Sequence, residues 1–143
     1  MPELNFTPEQ RAAIDTRGST VLVSAAAGSG KTRVLTERLM AYLTDADDPV
    51  DIDRFLVITY TRAAAAELRS RILDGIYARI AADPENRRLR RQSVLCARAE
   101  IGTIHSFCAD FLRANCAALA LAPDFQVADT ERCAALRTTA LEH

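Results

Sequence analysis

The sequence has 143 residues, of which 49% are hydrophobic and 26% charged, and its net charge is −1. This size and composition are typical of one globular domain, and the near-neutral charge excludes a strongly basic surface over the whole molecule, so any nucleic-acid contact has to be local. No apolar run reaches 18 residues and the N-terminal flank is acidic. We therefore expect no membrane span and no signal peptide.

The chain begins with the signals of a short helix. In Thr7-Pro-Glu-Gln10 the Thr7 hydroxyl can cap the helix, Pro8 suits the first helical position, and Gln10 can reach back to the cap N–H. We expect this helix to cover about residues 8–16 and to end before Gly18.

The next stretch points to phosphate binding. Ser24-Ala-Ala-Ala-Gly-Ser-Gly-Lys-Thr32 combines a glycine-rich turn with Lys31, the one lysine among the 18 basic residues. Such a loop surrounds phosphate oxygens with backbone N–H groups and supplies an ammonium group for the phosphates and a hydroxyl for Mg²⁺. Apolar residues predict a buried strand over 19–24 before the loop and a helix to Leu43 after it. Ala25 stands where the general pattern opens with glycine. An ordinary turn of small residues is the alternative, but such a turn does not require a Gly-Lys-Thr ending.

The remaining elements alternate between strands and helices, which indicates a parallel sheet with right-handed crossovers. The run 55–59 is apolar throughout, as expected for a strand covered on both faces. In chain order the pattern predicts an acidic loop over 44–51, a strand over 55–59, helices over 63–82 and 83–98, a strand over 100–103, a helix over 104–121, an extended segment over 125–128 and a final helix capped by Asp129 or Thr130.

Two groups of reactive or charged residues favour ordinary structural roles. The four cysteines have no C-x-x-C spacing and no paired histidines, so buried thiols in a reducing cytoplasm are favoured over a metal site. A run of arginines after residue 86 is either a DNA-binding patch or a solvated helix face, and the second interpretation is favoured. These residues are Cys96, Cys108, Cys116 and Cys133, and Arg87, Arg88, Arg90 and Arg91.

Three further stretches narrow the class of nucleotide-binding protein. They are Leu4-Asn-Phe-Thr-Pro-Glu-Gln-Arg-Ala-Ala-Ile14, Ile58-Thr-Tyr-Thr-Arg-Ala-Ala-Ala-Ala-Glu-Leu68 and Ile101-Gly-Thr-Ile-His-Ser-Phe-Cys108. In this order, with the loop, they closely resemble superfamily 1 DNA helicases of the UvrD type, and within these the AddA-type helicase–nucleases. Three segments favour the AddA type: the glycine-rich loop itself, Asp51-Ile-Asp-Arg54, and the Ala-Pro-Asp-Phe-Gln-Val segment at 122–127.

The resemblance implies a role for each residue of the nucleotide site. Gln10 matches a glutamine that reads the adenine edge, and its capping-box role is the alternative. Arg33 matches an arginine that stacks on adenine, and a solvated helix charge is the alternative. Lys31 and Thr32 match the phosphate lysine and the Mg²⁺ hydroxyl, and they are the implied catalytic residues. The residues implied to contact ATP and its Mg²⁺ are Gln10, Ala25, Ala26, Ala27, Gly28, Ser29, Gly30, Lys31, Thr32 and Arg33.

The resemblance also implies two motifs that contact single-stranded DNA. In the first, hydroxyls bond phosphates and the ring of Tyr60 stacks on a base, with a core aromatic as the alternative for Tyr60. At the positions of Tyr60 and Arg62 the family usually has phenylalanine and asparagine, respectively. In the second motif, which includes Gly102, His105 is either a phosphate contact or a structural histidine. The implied DNA-binding residues are Thr59, Tyr60, Thr61, Arg62, Thr103, His105 and Ser106.

Some parts of a helicase motor have no match in this sequence. A motor needs an Asp-Glu pair after an apolar strand to hold Mg²⁺ and orient water, and arginine fingers from a second lobe. Val127-Ala-Asp129 is a poor match to the first of these. We therefore expect the later helicase motifs and the nuclease domain to lie beyond His143, and the 143 residues alone to be inactive.

Together these patterns predict an α/β fold, with a P-loop (RecA-like) parallel sheet and flanking helices. Residues 1–128 are expected to form the N-terminal part of helicase lobe 1A, and 129–143 to start a helical segment of lobe 1B. The final Leu-Glu-His also matches the beginning of an affinity tag, which leaves a vector origin open for these three residues.

The resemblance implies a full-length enzyme that couples ATP hydrolysis to DNA unwinding in double-strand-break repair and that is also an exonuclease. Its implied partners are single-stranded DNA, duplex ends and an AddB-like nuclease subunit, with no membrane partner. Two alternatives stay open: a small P-loop phosphotransferase such as a nucleoside kinase, and a nucleotide- and DNA-binding module without turnover.

Overall fold

A computed structural model of the chain describes residues 5–122 and 124–141. Its internal contacts divide the chain into two units, Met1–Thr103 and Ile104–His143. No helix within the described residues is long and apolar enough to cross a membrane. The predicted break at Pro123 and the tag-like Glu142 and His143 lie outside the described residues.

The first unit begins with two helices that flank the glycine-rich loop. Helix α1 spans Pro8–Asp15 and helix α2 spans Lys31–Leu43, close to the predicted bounds. The predicted strand over 19–24 is wrong, because these residues form neither helix nor strand. Leu22 is 92% exposed, and a strand needs hydrogen-bonding neighbours that this segment does not have among the described residues.

The rest of the first unit is a β-α-α-β arrangement. Strand β1 (Leu56–Thr59) leads into α3 (Arg62–Ala82) and α4 (Arg87–Leu95), and β2 (Glu100–Thr103) follows. The strands pair in parallel, with Leu56 opposite Glu100 and Thr59 opposite Thr103, so the predicted parallel pairing is confirmed. Helix α4 starts later than predicted because the side chain of Asn86 accepts a hydrogen bond from Leu89 N and caps the helix there.

The core of this unit lies between α2, α3 and one face of the two strands. Met40, Leu43, Ile72 and Ile76 are fully buried in it, and Val57 and Ile101 contribute from the strands. The opposite face of β1 is not covered, since Leu56 is 49% and Ile58 45% exposed. The expectation of a strand covered on both faces is therefore wrong for the described residues.

The second unit contains α5 (Ile104–Ala114) and α6 (Thr130–Leu141). The helix predicted to reach Leu121 ends at Ala114, followed by a 3₁₀ turn over Cys116–Leu119, and Ala120 takes a left-handed φ of 52°. Residues 125–128, which were predicted to be extended, form neither helix nor strand. Of the two candidate caps for α6, Asp129 accepts a hydrogen bond from Arg132 N at 2.8 Å. No described residue of either helix is buried.

Candidate nucleotide and DNA sites

The glycine-rich loop ends at the N-terminus of α2. Gly28 and Gly30 adopt left-handed φ angles of 77° and 83°, which glycine takes without a steric penalty. Gly30 precedes the helix, and no side chain caps its first turn. The N–H groups of that turn and the positive end of the helix dipole are therefore available to an anion.

Lys31 is the first residue of α2, and its side chain folds back over the loop. Its Nζ donates hydrogen bonds of 2.7 Å to the carbonyl oxygens of both Ala25 and Ala26. These two bonds leave one of the three ammonium donors for a ligand. Thr32 follows in the first turn with an exposed side chain, as a hydroxyl that binds a nucleotide-bound metal would need to be. The structure thus brings the loop, the ammonium and the hydroxyl together.

Gln10 joins α1 to the same loop. Its Oε1 accepts a hydrogen bond from Thr7 N at 3.0 Å, and its backbone N donates to Thr7 Oγ1 at 3.3 Å, which confirms the capping box. Its Nε2 donates to the carbonyl of Ser29 at 3.2 Å, a contact that the sequence pattern did not predict. The adenine role of Gln10 stays a prediction, and it requires the carboxamide to exchange one of these partners for the base.

A cavity of about 190 Å³ lies between α1 and the loop. The buried hydroxyl of Ser29 has no hydrogen-bond partner among the described residues, which leaves a donor for a ligand or water. The cavity is lined by Glu9, Gln10, Ala13, Val23, Ser24, Ala25, Ser29, Lys31 and Val34. Several of the loop residues predicted to contact nucleotide therefore share one concave surface with Gln10.

Arg33 has a partner that the sequence did not predict. Its guanidinium Cζ lies 4.7 Å from the ring centroid of Phe6. The side chain is exposed, and within the described part of the chain it makes no hydrogen bond or ion pair. The solvated-charge alternative for Arg33 is thus incomplete, because the guanidinium also contacts an aromatic ring. The stacking of Arg33 on adenine stays a prediction.

The first DNA motif connects β1 to α3. The ring of Tyr60 is fully exposed, at 103% of its reference area, so the core-aromatic alternative does not hold. The Thr59 hydroxyl donates to Thr61 O at 3.0 Å, and the Thr61 hydroxyl caps α3 by accepting from Ala64 N at 3.1 Å. Arg62 is the first residue of α3 and is exposed. The turn therefore presents an aromatic ring and a guanidinium close together in the chain.

The second DNA motif begins at the end of β2. Thr103 lies opposite Thr59 in the parallel register, so the last residues of the two strands lie side by side. Thr103 is only 8% exposed, and both Thr103 and Ser106 already have an interaction partner. His105 is exposed in the first turn of α5. Of the three predicted DNA contacts in this motif, His105 is the one that the structure leaves most accessible.

Three of the four arginines in the run on α4 are exposed, as expected for a solvated helix face, and Arg88 is partly buried. Asp51 forms ion pairs with Arg88 at 3.1 Å and Arg91 at 2.9 Å, and Arg88 also donates to the carbonyl of Leu43. The buried Gln92 completes the cluster, with Nε2 donating to Asp51 and Oε1 accepting from Ile52 N. Because Arg88 and Arg91 are paired with Asp51, they are less available to DNA than a DNA-binding patch would require. The cluster around the Asp51 carboxylate was not predicted from the sequence.

No group of three or more His, Cys, Asp or Glu side chains able to hold a metal occurs among the described residues. The four cysteines are free, and of these only Cys96 is buried. The expectation of buried thiols is therefore wrong for Cys108, which is exposed, and only partly met by Cys116 and Cys133, which are partly buried. Burial raises the pKa of the Cys96 thiol, and the nearby Arg69 guanidinium lowers it in part. Val127, in the poor match to the metal-binding motif, is 71% exposed.

Comparison with known proteins decides the family. The sequence profile of the UvrD/REP helicase N-terminal domain matches residues 6–143. The chain belongs to this helicase family. Relatives named as the A component of an ATP-dependent helicase/nuclease are 48% identical in Clostridium acetobutylicum, 50% in Pelotomaculum thermopropionicum and 44% in Clostridioides difficile. These matches cover 96%, 96% and 99% of this chain, but 11% of the length of each relative.

The UvrD/REP match confirms the resemblance drawn from the motifs, and the helicase/nuclease names of the relatives confirm its AddA-type character. The match agrees with an α/β domain that contains a small parallel sheet and helices. The roles of individual site residues and the boundary between 1–128 and 129–143 stay predictions.

Proposed function

We propose that this chain is the ATP- and single-stranded-DNA-binding N-terminal part of an AddA-type DNA helicase–nuclease, which couples ATP hydrolysis to DNA unwinding in double-strand-break repair. The observation that carries the proposal is the glycine-rich loop that places Lys31 at the first position of α2, in a chain of the UvrD/REP family. We also propose that the sheet is part of a RecA-like, P-loop fold.

The loop carries groups that suit a nucleoside triphosphate. A Cβ added at Gly28 would meet nothing within 4 Å, so the backbone there is open to a ligand. The first-turn N–H groups and the remaining donor of Lys31 would bind phosphate oxygens, since both donate to anions. A bound Mg²⁺ would neutralise phosphate charge, and the Thr32 hydroxyl is the residue of this chain that would hold it.

The DNA part of the proposal depends on the exposed turn after β1. The ring of Tyr60 has a free face for a base, and the exposed Arg62 guanidinium suits a phosphate. His105 supplies a further exposed contact, and Thr103 and Ser106 would contact the DNA backbone, as the family motif implies.

Turnover requires groups from outside the described residues. The sequence has no Asp-Glu pair after an apolar strand to hold Mg²⁺ and orient water, so we expect nucleotide binding without hydrolysis for the 143 residues alone. We propose that the full-length protein supplies the missing carboxylates and arginine fingers, carries the exonuclease domain, and works in the cytoplasm with an AddB-like partner on duplex ends.

Single-turnover ATP hydrolysis, with and without single-stranded DNA, tests the proposal. We expect DNA-stimulated phosphate release by the full-length protein, none by its Lys31→Ala variant, and negligible release by residues 1–143. Transfer of phosphate to a nucleoside in place of water would indicate the phosphotransferase alternative. DNA-independent hydrolysis by the full-length protein would contradict the helicase proposal.

A further inference from the structure

Phe6 contacts two arginine side chains at the start of α1. Its ring centroid lies 4.7 Å from Cζ of Arg33 on α2 and 5.4 Å from Cζ of Arg11 on α1. Phe6 directly precedes the cap residue Thr7, and Arg11 is the fourth residue of the helix. Two apolar side chains often pack at these positions as a hydrophobic staple. Here a guanidinium replaces one of them, so the ring is available to cations.

The contact with Arg33 is not needed to begin α1. The hydrogen bonds between Thr7 and Gln10 already cap that helix. Arg33, by contrast, makes no hydrogen bond or ion pair within the described part of the chain, and its side chain is exposed. The aromatic ring is therefore the contact that restricts this long side chain, next to Lys31 and Thr32.

A guanidinium is planar and has two faces for stacking. Phe6 contacts Arg33, and the exposure of that arginine leaves surface open to a second planar group. Gln10 lies four positions after Phe6, and its Nε2 reaches the loop at Ser29. A purine stacked on Arg33 would thus lie beside the phosphate loop and near a carboxamide able to donate and accept.

We infer that Phe6 is a positioning residue for the base subsite, because its ring holds the Arg33 guanidinium in place to stack on the adenine of ATP. The inference rests on the proposed nucleotide-binding function. Since Phe6 acts through Arg33 and not on the phosphates, its effect is confined to ligands that carry a base.

Binding of ATP and of inorganic triphosphate to the full-length protein tests the inference. We expect Phe6→Ala to weaken ATP binding about two- to fivefold, the size of an exposed cation–π contact, and to leave triphosphate binding unchanged. Phe6→Tyr should bind ATP with the affinity of the wild type because it keeps the ring, whereas Phe6→Leu should bind it more weakly. Arg11→Ala is the matched control, since it removes the other guanidinium from the same ring and should not alter ATP affinity.

A double-mutant cycle provides the decisive measurement. If Phe6 acts through Arg33, Phe6→Ala has no further effect on ATP binding in an Arg33→Ala protein. The inference is overturned if ATP and triphosphate affinities fall equally, if the loss persists without Arg33, or if Phe6→Ala binds ATP normally. Lys31→Ala measured alongside keeps the two proposals distinct: if it abolishes ATP binding while Phe6→Ala has no effect, only the role of Phe6 fails.

Discussion

Gln10 and Ser29 are 19 positions apart in the chain, yet Gln10 Nε2 donates a hydrogen bond to the Ser29 carbonyl at 3.2 Å. The same carboxamide accepts from Thr7 N through its oxygen. One side chain thus caps α1 and connects that helix to the phosphate loop, so the position of the loop depends on α1.

Two substitutions at Gln10 should separate these roles. Gln10→Glu keeps an acceptor for Thr7 N but sets a carboxylate oxygen against the Ser29 carbonyl in place of the donor, so we expect weaker ATP binding and a fall in the free energy of unfolding of about 0.5–1.5 kcal/mol. Gln10→Ala removes both bonds and should lower that free energy by about 1–3 kcal/mol. Urea unfolding and ATP titration measure the two effects. Equal ATP affinities for wild type and Gln10→Glu would contradict a role for the loop contact.

Lys31→Ala should abolish ATP hydrolysis by the full-length protein and leave its affinity for single-stranded DNA nearly intact. The reason is that Nζ lies over the loop, bonded to Ala25 and Ala26, whereas the proposed DNA residues follow the strands. Arg87→Ala is a suitable control because it removes one exposed positive charge from α4. A parallel loss of DNA affinity in Lys31→Ala would show that the two sites are not separable.

Tyr60→Ala should weaken single-stranded DNA binding by about 1–3 kcal/mol, because it removes a stacking face and no charge. The free energy of unfolding should hardly change, since the ring is fully exposed. Tyr60→Phe should bind DNA like wild type. Tyr77→Ala is the matched control, as Tyr77 is a half-exposed tyrosine on α3 outside both DNA motifs. A sharp loss of stability with unchanged DNA affinity would make Tyr60 a structural residue.

Asp51→Ala should destabilise the fold by about 1–3 kcal/mol, because it leaves the Nε2 of the fully buried Gln92 without its acceptor. Arg91→Ala should cost about 0–1 kcal/mol, because that partner of Asp51 is 65% exposed. Denaturant unfolding measures both changes. If Arg91→Ala destabilised the protein as strongly as Asp51→Ala, the cluster would depend on the ion pair and not on the buried amide.

The sequence by itself determined the features that depend on neighbouring residues. The capping box of Thr7 and Gln10, the helix that begins at Lys31, and the short β1 and β2 strands all match the structure, because caps, glycine-rich turns and apolar periodicity act over a few residues. The family was readable for the same reason, since its motifs are contiguous strings.

The tertiary structure decided the features that need a distant partner. The apolar segment 19–24 is not a strand, because a strand exists only where another strand accepts its hydrogen bonds. Asp51 draws Arg88 and Arg91 into ion pairs that the charge run alone did not predict. In the same way, the contacts of Gln10 with Ser29 and of Phe6 with Arg33 join residues whose separation in the chain carries no local signal, so packing alone brings them together.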